Sequence, residues 1–240
     1  MNRATFLEAM FAVTSAVPLG AQAASAAKHI AGVRIPDTVL ASEAAEIAKS
    51  SEPIEIYNHS LRTYLFAELI ARAKKVSHDA EIVYVASILH DTGLATRYIS
   101  PANPFEVDGA NVARALLRKH AVSENRADVA WDAIALHDNG GIARHKQAEV
   151  MLVNAGVAAD FGGYLDSMAR LDVIGVLEAA PRTHFIDVFL NATANVAKRK
   201  PLAAAHSFVA DVGYCKVAGF HLPSFCDEVR TDPFAGYQKS

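Results

Sequence analysis

The sequence predicts an all-α protein, a single-domain helical bundle of about seven to nine helices. Three observations carry that prediction. Alanine is abundant across the 240 residues and β-branched runs are short, which favours helix throughout. No stretch of useful length alternates apolar and polar residues as a half-buried strand would. Proline, glycine and capping residues cut the apolar segments into helix-sized pieces. The chain is long enough for one sizeable core.

Composition narrows the class further. The chain is 52% hydrophobic and 20% charged, a globular balance. A net charge of -3 gives no electrostatic case for nucleic acid or an anionic membrane as the main partner. A small-molecule substrate is the expected partner, and a homo-oligomer stays open. Two cysteines, Cys215 and Cys226, make neither a zinc finger nor a disulfide framework, and would pair only in an exported protein. Ten histidines are the notable count, because imidazole is the commonest metal ligand and the usual acid-base group.

Residues 1–27 differ from the rest. Met1-Asn2-Arg3 is weakly basic, residues 10–20 are mostly apolar, and Ala21-Gln22-Ala23 has the small-x-small pattern of a cleavage site. An export signal and a plain N-terminal extension both fit. The protein is exported if residues 1–23 are cleaved and cytoplasmic otherwise. The domain then spans residues 28–240.

The elements follow in order. Residues 36–49 read as a helix with Asp37 as its cap. Ser51-Glu52-Pro53 looks like a second helix start, and that helix runs through His59 to about Lys75. Ser77 is the expected cap of the next helix, which ends at His90-Asp91. Residues 92–105 are a connection rich in Pro, Gly and Asn. Residues 106–120 form a helix with Val107, Asn111, Ala115, Leu116 and Leu117 inward or nearly so. Ser123 opens a helix that carries Trp131 as a core residue and ends near His137, where Asp138-Asn139-Gly140-Gly141 breaks it. Residues 149–161 are strongly apolar. Helices at 166–180, 184–199 and 202–214 follow, and the chain from Gly219 onward is an irregular wrap.

The chemistry concentrates at the end of the helix from Ser77. An apolar run, Ile82 to Leu89, finishes in His90-Asp91. Burying an unpaired carboxylate costs several kcal/mol or forces it to neutralise. Asp91 therefore needs a cation, and His90 beside it points to a metal ion. Gly93 is expected to permit a sharp reversal that presents both side chains. Two similar dipeptides differ: His78-Asp79 sits at a helix start, where solvated capping explains it, and His137-Asp138 closes a helix before a glycine turn. His59 lies one helix earlier and Asp160 ends a later apolar helix. Packed helices can converge such groups, and imidazoles with carboxylates suit zinc, iron or manganese.

The order His, His-Asp, Asp resembles the HD superfamily of metal-dependent hydrolases. The local likeness lies in Asn58-His59-Ser60-Leu61-Arg62, in Leu89-His90-Asp91-Thr92-Gly93 and in Ala159-Asp160-Phe161-Gly162. Within that superfamily the chain most resembles the cyanamide hydratase-like branch, through Phe105-Glu106-Val107-Asp108-Gly109-Ala110 and Ala133-Ile134-Ala135-Leu136-His137. The likeness covers roughly residues 34–235. It implies an HD-type helical bundle and a divalent metal held by His59, His90, Asp91 and Asp160.

Glu106 then becomes a candidate to orient or deprotonate water, with first-turn dipole compensation as the plain alternative. His137 becomes a candidate for substrate or a second metal, with helix C-terminal stabilisation as its alternative; His145 is a weaker one. At most one of Asn58 and Arg62 is expected in the pocket. His120, His184, His206 and His221 have no motif context.

Three functions follow. A metal-activated water would hydrate or hydrolyse a small carbon-nitrogen substrate such as a cyanamide, in a small, mostly apolar site with Glu106 or His137 as the acid-base group. Alternatively it would attack a phosphomonoester or nucleotide, which calls for cations drawn from Arg62, Arg97, Arg144 and Lys146. The third is a metal-stabilised domain that only binds.

Overall fold

The structure is a computed structural model that describes residues 28–205 and 207–230. The expected export signal or extension at 1–27, His206 and the end of the tail lie outside the described residues. The architecture is all-α, as expected. Eleven α-helices occur among the described residues. They are α1 (Val39–Ser51), α2 (Ile54–Lys74), α3 (Ala80–Leu89), α4 (Phe105–Lys119), α5 (Glu124–Ala135), α6 (Gly140–Ala143), α7 (Ala148–Asp160), α8 (Arg170–Ala179), α9 (Phe185–Arg199), α10 (Phe208–Lys216) and α11 (Phe225–Arg230). The two beyond the expected number are short. One turn of helix forms inside the glycine break, capped by Asn139 Oδ1, and six residues of the tail coil as α11. A two-residue hairpin, β1 (His29–Ile30) with β2 (Val33–Arg34), precedes the bundle. Ala31 and Gly32 both take positive φ at its tip, as a tight hairpin turn requires.

Several caps sit elsewhere than expected. Thr38, not Asp37, accepts the Ala41 amide; Asp37 is paired with Arg34. Asp79, not Ser77, accepts the amides of Glu81 and Ile82, and Ser51 belongs to the end of α1. On α4 the inward residues are Phe105, Ala113, Leu116 and Leu117, whereas Asn111 and Ala115 are exposed. Trp131 is half-buried, not core, because its indole N–H donates to Asn111 at the α4–α5 seam.

Helix α3 is apolar on every side and is buried from Ile82 to Leu89. Such a helix must be surrounded, and α1, α2, α4, α5 and α7 surround it. These elements share one core. A second, smaller core joins Ile56, Leu94 and Phe105 to Phe185, Phe189, Val196 and Val209, so α9 and α10 dock on one end of the bundle.

Two glycines set how closely helices approach. A Cβ on Gly93 would lie 1.9 Å from the Phe105 carbonyl oxygen. Gly93 thus lets α4 lie against the end of α3; it keeps a negative φ and is not the reversal point expected of it. A Cβ on Gly156 of α7 would lie 2.2 Å from the Thr63 carbonyl of α2. Gly156→Ala is expected to cost about 1–3 kcal/mol of unfolding free energy, the range for forced overpacking, measured by urea titration. Gly141→Ala, whose added Cβ meets Asn139 Oδ1 at an ordinary 3.4 Å, is expected to stay within about 0.5 kcal/mol.

Candidate metal centre

Helix α2 supplies His59, the end of α3 supplies His90 and Asp91, and α5 ends one residue before Leu136-His137. All four side chains are buried. Each imidazole is held from behind through Nδ1. His90 Nδ1 donates to the Ser87 carbonyl at 2.7 Å and His137 Nδ1 to the Ile134 carbonyl at 2.7 Å. His59 Nδ1 lies 2.6 Å from Asp160 Oδ2. A carbonyl or carboxylate only accepts, so the proton sits on Nδ1 and the Nε2 lone pair faces inward.

Those lone pairs converge on Asp91. His59 Nε2 and His90 Nε2 are 3.2 Å apart. Asp91 Oδ2 lies 3.3 Å from His90 Nε2 and 3.6 Å from His59 Nε2. His137 Nε2 stands 3.9 Å from Asp91 Oδ1. Both Asp91 oxygens are buried without a hydrogen-bond donor. Facing lone pairs beside an unpaired carboxylate repel unless a cation sits among them. Burial pushes the His90 imidazole down to about 3, so it does not supply that charge itself. The donor set of imidazole nitrogens and carboxylate fits a divalent transition metal. His59, His90 and Asp91 offer ligand atoms within 4.8 Å of one another.

Asp160, the fourth expected ligand, stands behind His59 rather than beside it. Its Oδ2 takes His59 Nδ1 and the Arg62 Nη2 donor at 2.8 Å, and its Oδ1 takes Arg62 Nε at 2.7 Å and Arg182 Nη1 at 2.6 Å. Burial would raise this carboxyl, but the bonds from His59 and Arg62 outweigh it and hold the group well below the usual carboxylate range. Asp160 is therefore fully partnered, whereas Asp91 is not.

Arg62 also donates to the carbonyls of Ala180 and Pro181, each at 3.0 Å, and its guanidinium lies 5.1 Å from the Phe185 ring, which stacks on His59. Neither Arg62 nor Asn58 lines the cavity described below. Arg182 and Phe185 escaped the sequence reading, because nothing local marks a residue that serves an acid on another helix. Glu52 also escaped it: its carboxyl is buried without partners, and burial together with the charge of Asp91 raises it far above the usual range.

A cavity of about 390 Å³ opens onto this cluster. His59, His90, Asp91 and His137 line it, together with Asp138 and Asn154. Its other walls are apolar: Phe161 from the end of α7, Ile186, Phe189 and Leu190 from α9, and Phe208 and Val212 from α10. Glu106 does not line it. Its Oε1 accepts from Ser207, its Oε2 is buried without a partner, and burial raises its carboxyl. His145 is exposed beside Arg144 and also stands apart. His120 pairs with Glu43, and His184 and His221 are exposed.

Residues 56–167 match the family model of the HD domain. His59, His90, Asp91, His137 and Asp160 all fall within that stretch. The match and the His-His-Asp cluster fit the HD superfamily, whose members are in general metal-dependent hydrolases. No curated protein matches the chain.

Asp91→Ala is expected to abolish the bound ion, which should be close to about one per chain in the parent by elemental analysis. Asp160→Asn is expected to weaken ion affinity only about 10–100-fold, the cost of losing a residue that orients a ligand. Acid provides a second check on the metal-free protein. Unfolded His90 takes up a proton near 6.5 and folded His90 only near about 3. The stability from its neutral form is present above 6.5 and lost as pH falls toward 3, by at most about 1.4 kcal/mol per pH unit. Urea titrations of chelated protein at falling pH are expected to show that loss, and His90→Asn to flatten it.

Proposed function

We propose that this protein is a metal-dependent enzyme that adds water to a small, uncharged carbon-nitrogen substrate, in the manner of a cyanamide hydratase, with zinc or iron as the ion. The observation that carries this reading is a cavity at the ligand cluster with no lysine or arginine among the described residues of its walls. The ion, when bound, supplies activation of water and polarisation of the group under attack. The remaining work falls to the chain. His59, His90 and Asp91 hold the ion, and Asp160 fixes the His59 ring. His137, with Nε2 turned to Asp91, holds or passes a proton on the substrate side. The apolar walls exclude bulk water. In the overall step the water oxygen bonds to the nitrile carbon and both hydrogens finish on nitrogen, so that a cyanamide becomes a urea.

Phosphate-ester hydrolysis has less support. It needs cations at the transferring group, and those the sequence offers are committed elsewhere. Arg62 is spent on Asp160 and two carbonyls. Arg97 lies over Tyr98, Arg144 contacts His145, and Lys146 pairs with Asp132. A purely structural metal is disfavoured because the cavity reaches the ligand atoms.

A screen of cyanamide and simple nitriles against phosphomonoesters and nucleotides, with metal-loaded protein, tests the reading. Turnover confined to the first group is the expected result; turnover confined to the second would sink it. His137→Gln is expected to keep the ion and lose about 10²–10⁴ in kcat.

A further inference from the structure

The cavity is larger than the simplest substrate of the proposed reaction requires. At about 390 Å³ it falls within the roughly 300–1,000 Å³ of sites that enclose drug-sized ligands. Water occupies about 30 Å³ per molecule in the liquid, so an ion, a few waters and cyanamide, with its three non-hydrogen atoms, would leave most of the space open. The sequence reading expected a small site, and only its apolar character is present.

The cavity has two kinds of wall. The ligand cluster and Asp138 make one, beside Asn154, whose side-chain amide donates to the His137 carbonyl at 2.8 Å. The apolar residues of α9 and α10, some of them shared with the second core, make the other. Phe189 and Phe208 stack there with ring centroids 5.7 Å apart, and Phe161 and Ile186 are about half exposed at 51% and 47%. Such walls hold water poorly and reward an apolar group that displaces it. An anionic body would lose its hydration there with no lysine or arginine among the described lining residues to replace it.

We infer that the substrate joins an uncharged carbon-nitrogen head, which meets the ligand cluster, to an apolar alkyl or aryl body that lies along α9 and α10 between Phe161, Ile186, Phe189, Leu190, Phe208 and Val212. This rests on the proposed hydration and adds the part of the molecule that selects it. The residues that read the body lie largely beyond the stretch matched by the HD model, which ends at residue 167.

The test is a homologous series on the metal-loaded full chain: cyanamide, then N-methyl-, N-butyl-, N-hexyl- and N-benzylcyanamide. The expected result is a kcat/KM that climbs up to about fourfold per buried methylene until the cavity is full. Ile186→Lys is expected to cut the ratio of N-hexyl to N-methyl kcat/KM by about tenfold, since it puts a charge beside the body. A flat series, or one that falls from cyanamide onward, overturns the inference and leaves hydration standing. Calorimetry with the matching N-alkylureas separates the remaining case. Binding that tightens with chain length and carries a negative heat-capacity change, without turnover of any cyanamide, sinks the hydration and keeps the apolar body. Binding indifferent to chain length overturns the inference whatever the turnover.

Discussion

Two imidazoles turn their Nε2 atoms to each other across 3.2 Å, beside a carboxylate with no donor. With no proton or cation between them that arrangement is repulsive, and side-chain rotation does not relieve it cheaply. Each ring is tied through Nδ1, to Ser87 for His90 and to Asp160 for His59. The repulsion is built in from behind, and a cation is the group that turns it into attraction. Much of the surrounding structure serves to hold it. Arg62 is wholly buried and spends its donors on Asp160 and on the connection between α8 and α9. The Asp160 charge is thereby balanced twice, while that of Asp91 is left open.

This uneven balance separates two carboxylates that look alike in sequence. Both end apolar helices. Asp91 faces the Nε2 atoms of three rings whose Nδ1 donors are used behind them, and Asp160 lies between two guanidinium groups and the Nδ1 side of His59. Which acid lacks a cation is a property of neighbours 98 and 22 residues away along the chain, and no local pattern encodes it. The same holds for Phe185, which reaches the His59 ring from a helix that begins well after the last motif residue.

What was legible was local and periodic. The helices, their order and the out-of-place acid at the end of α3 follow from apolar spacing and from the cost of burying charge. Caps were less legible, because several polar residues cluster at each helix start and their neighbours sort them: Asp37 pairs with Arg34 three residues before it, and Thr38 caps α1. The cavity's size was not legible. It depends on how far α9 and α10 stand from α7, which packing sets and composition does not.

The near-contact of α2 and α7 at Gly156 has a further consequence. His59 and Asp160 are 101 residues apart, and they meet only when those helices close on each other. An unfolded chain has no such constellation, so an ion held there is held by the folded state alone, and its binding energy is folding energy. At a free-ion level 100 times its dissociation constant, that linkage adds about 2.7 kcal/mol. With such an ion bound, the lifetime of the molecule would follow the metal supply around it: scarcity would leave a larger unfolded fraction open to proteolysis, and abundance would protect the same chain without any change in its synthesis.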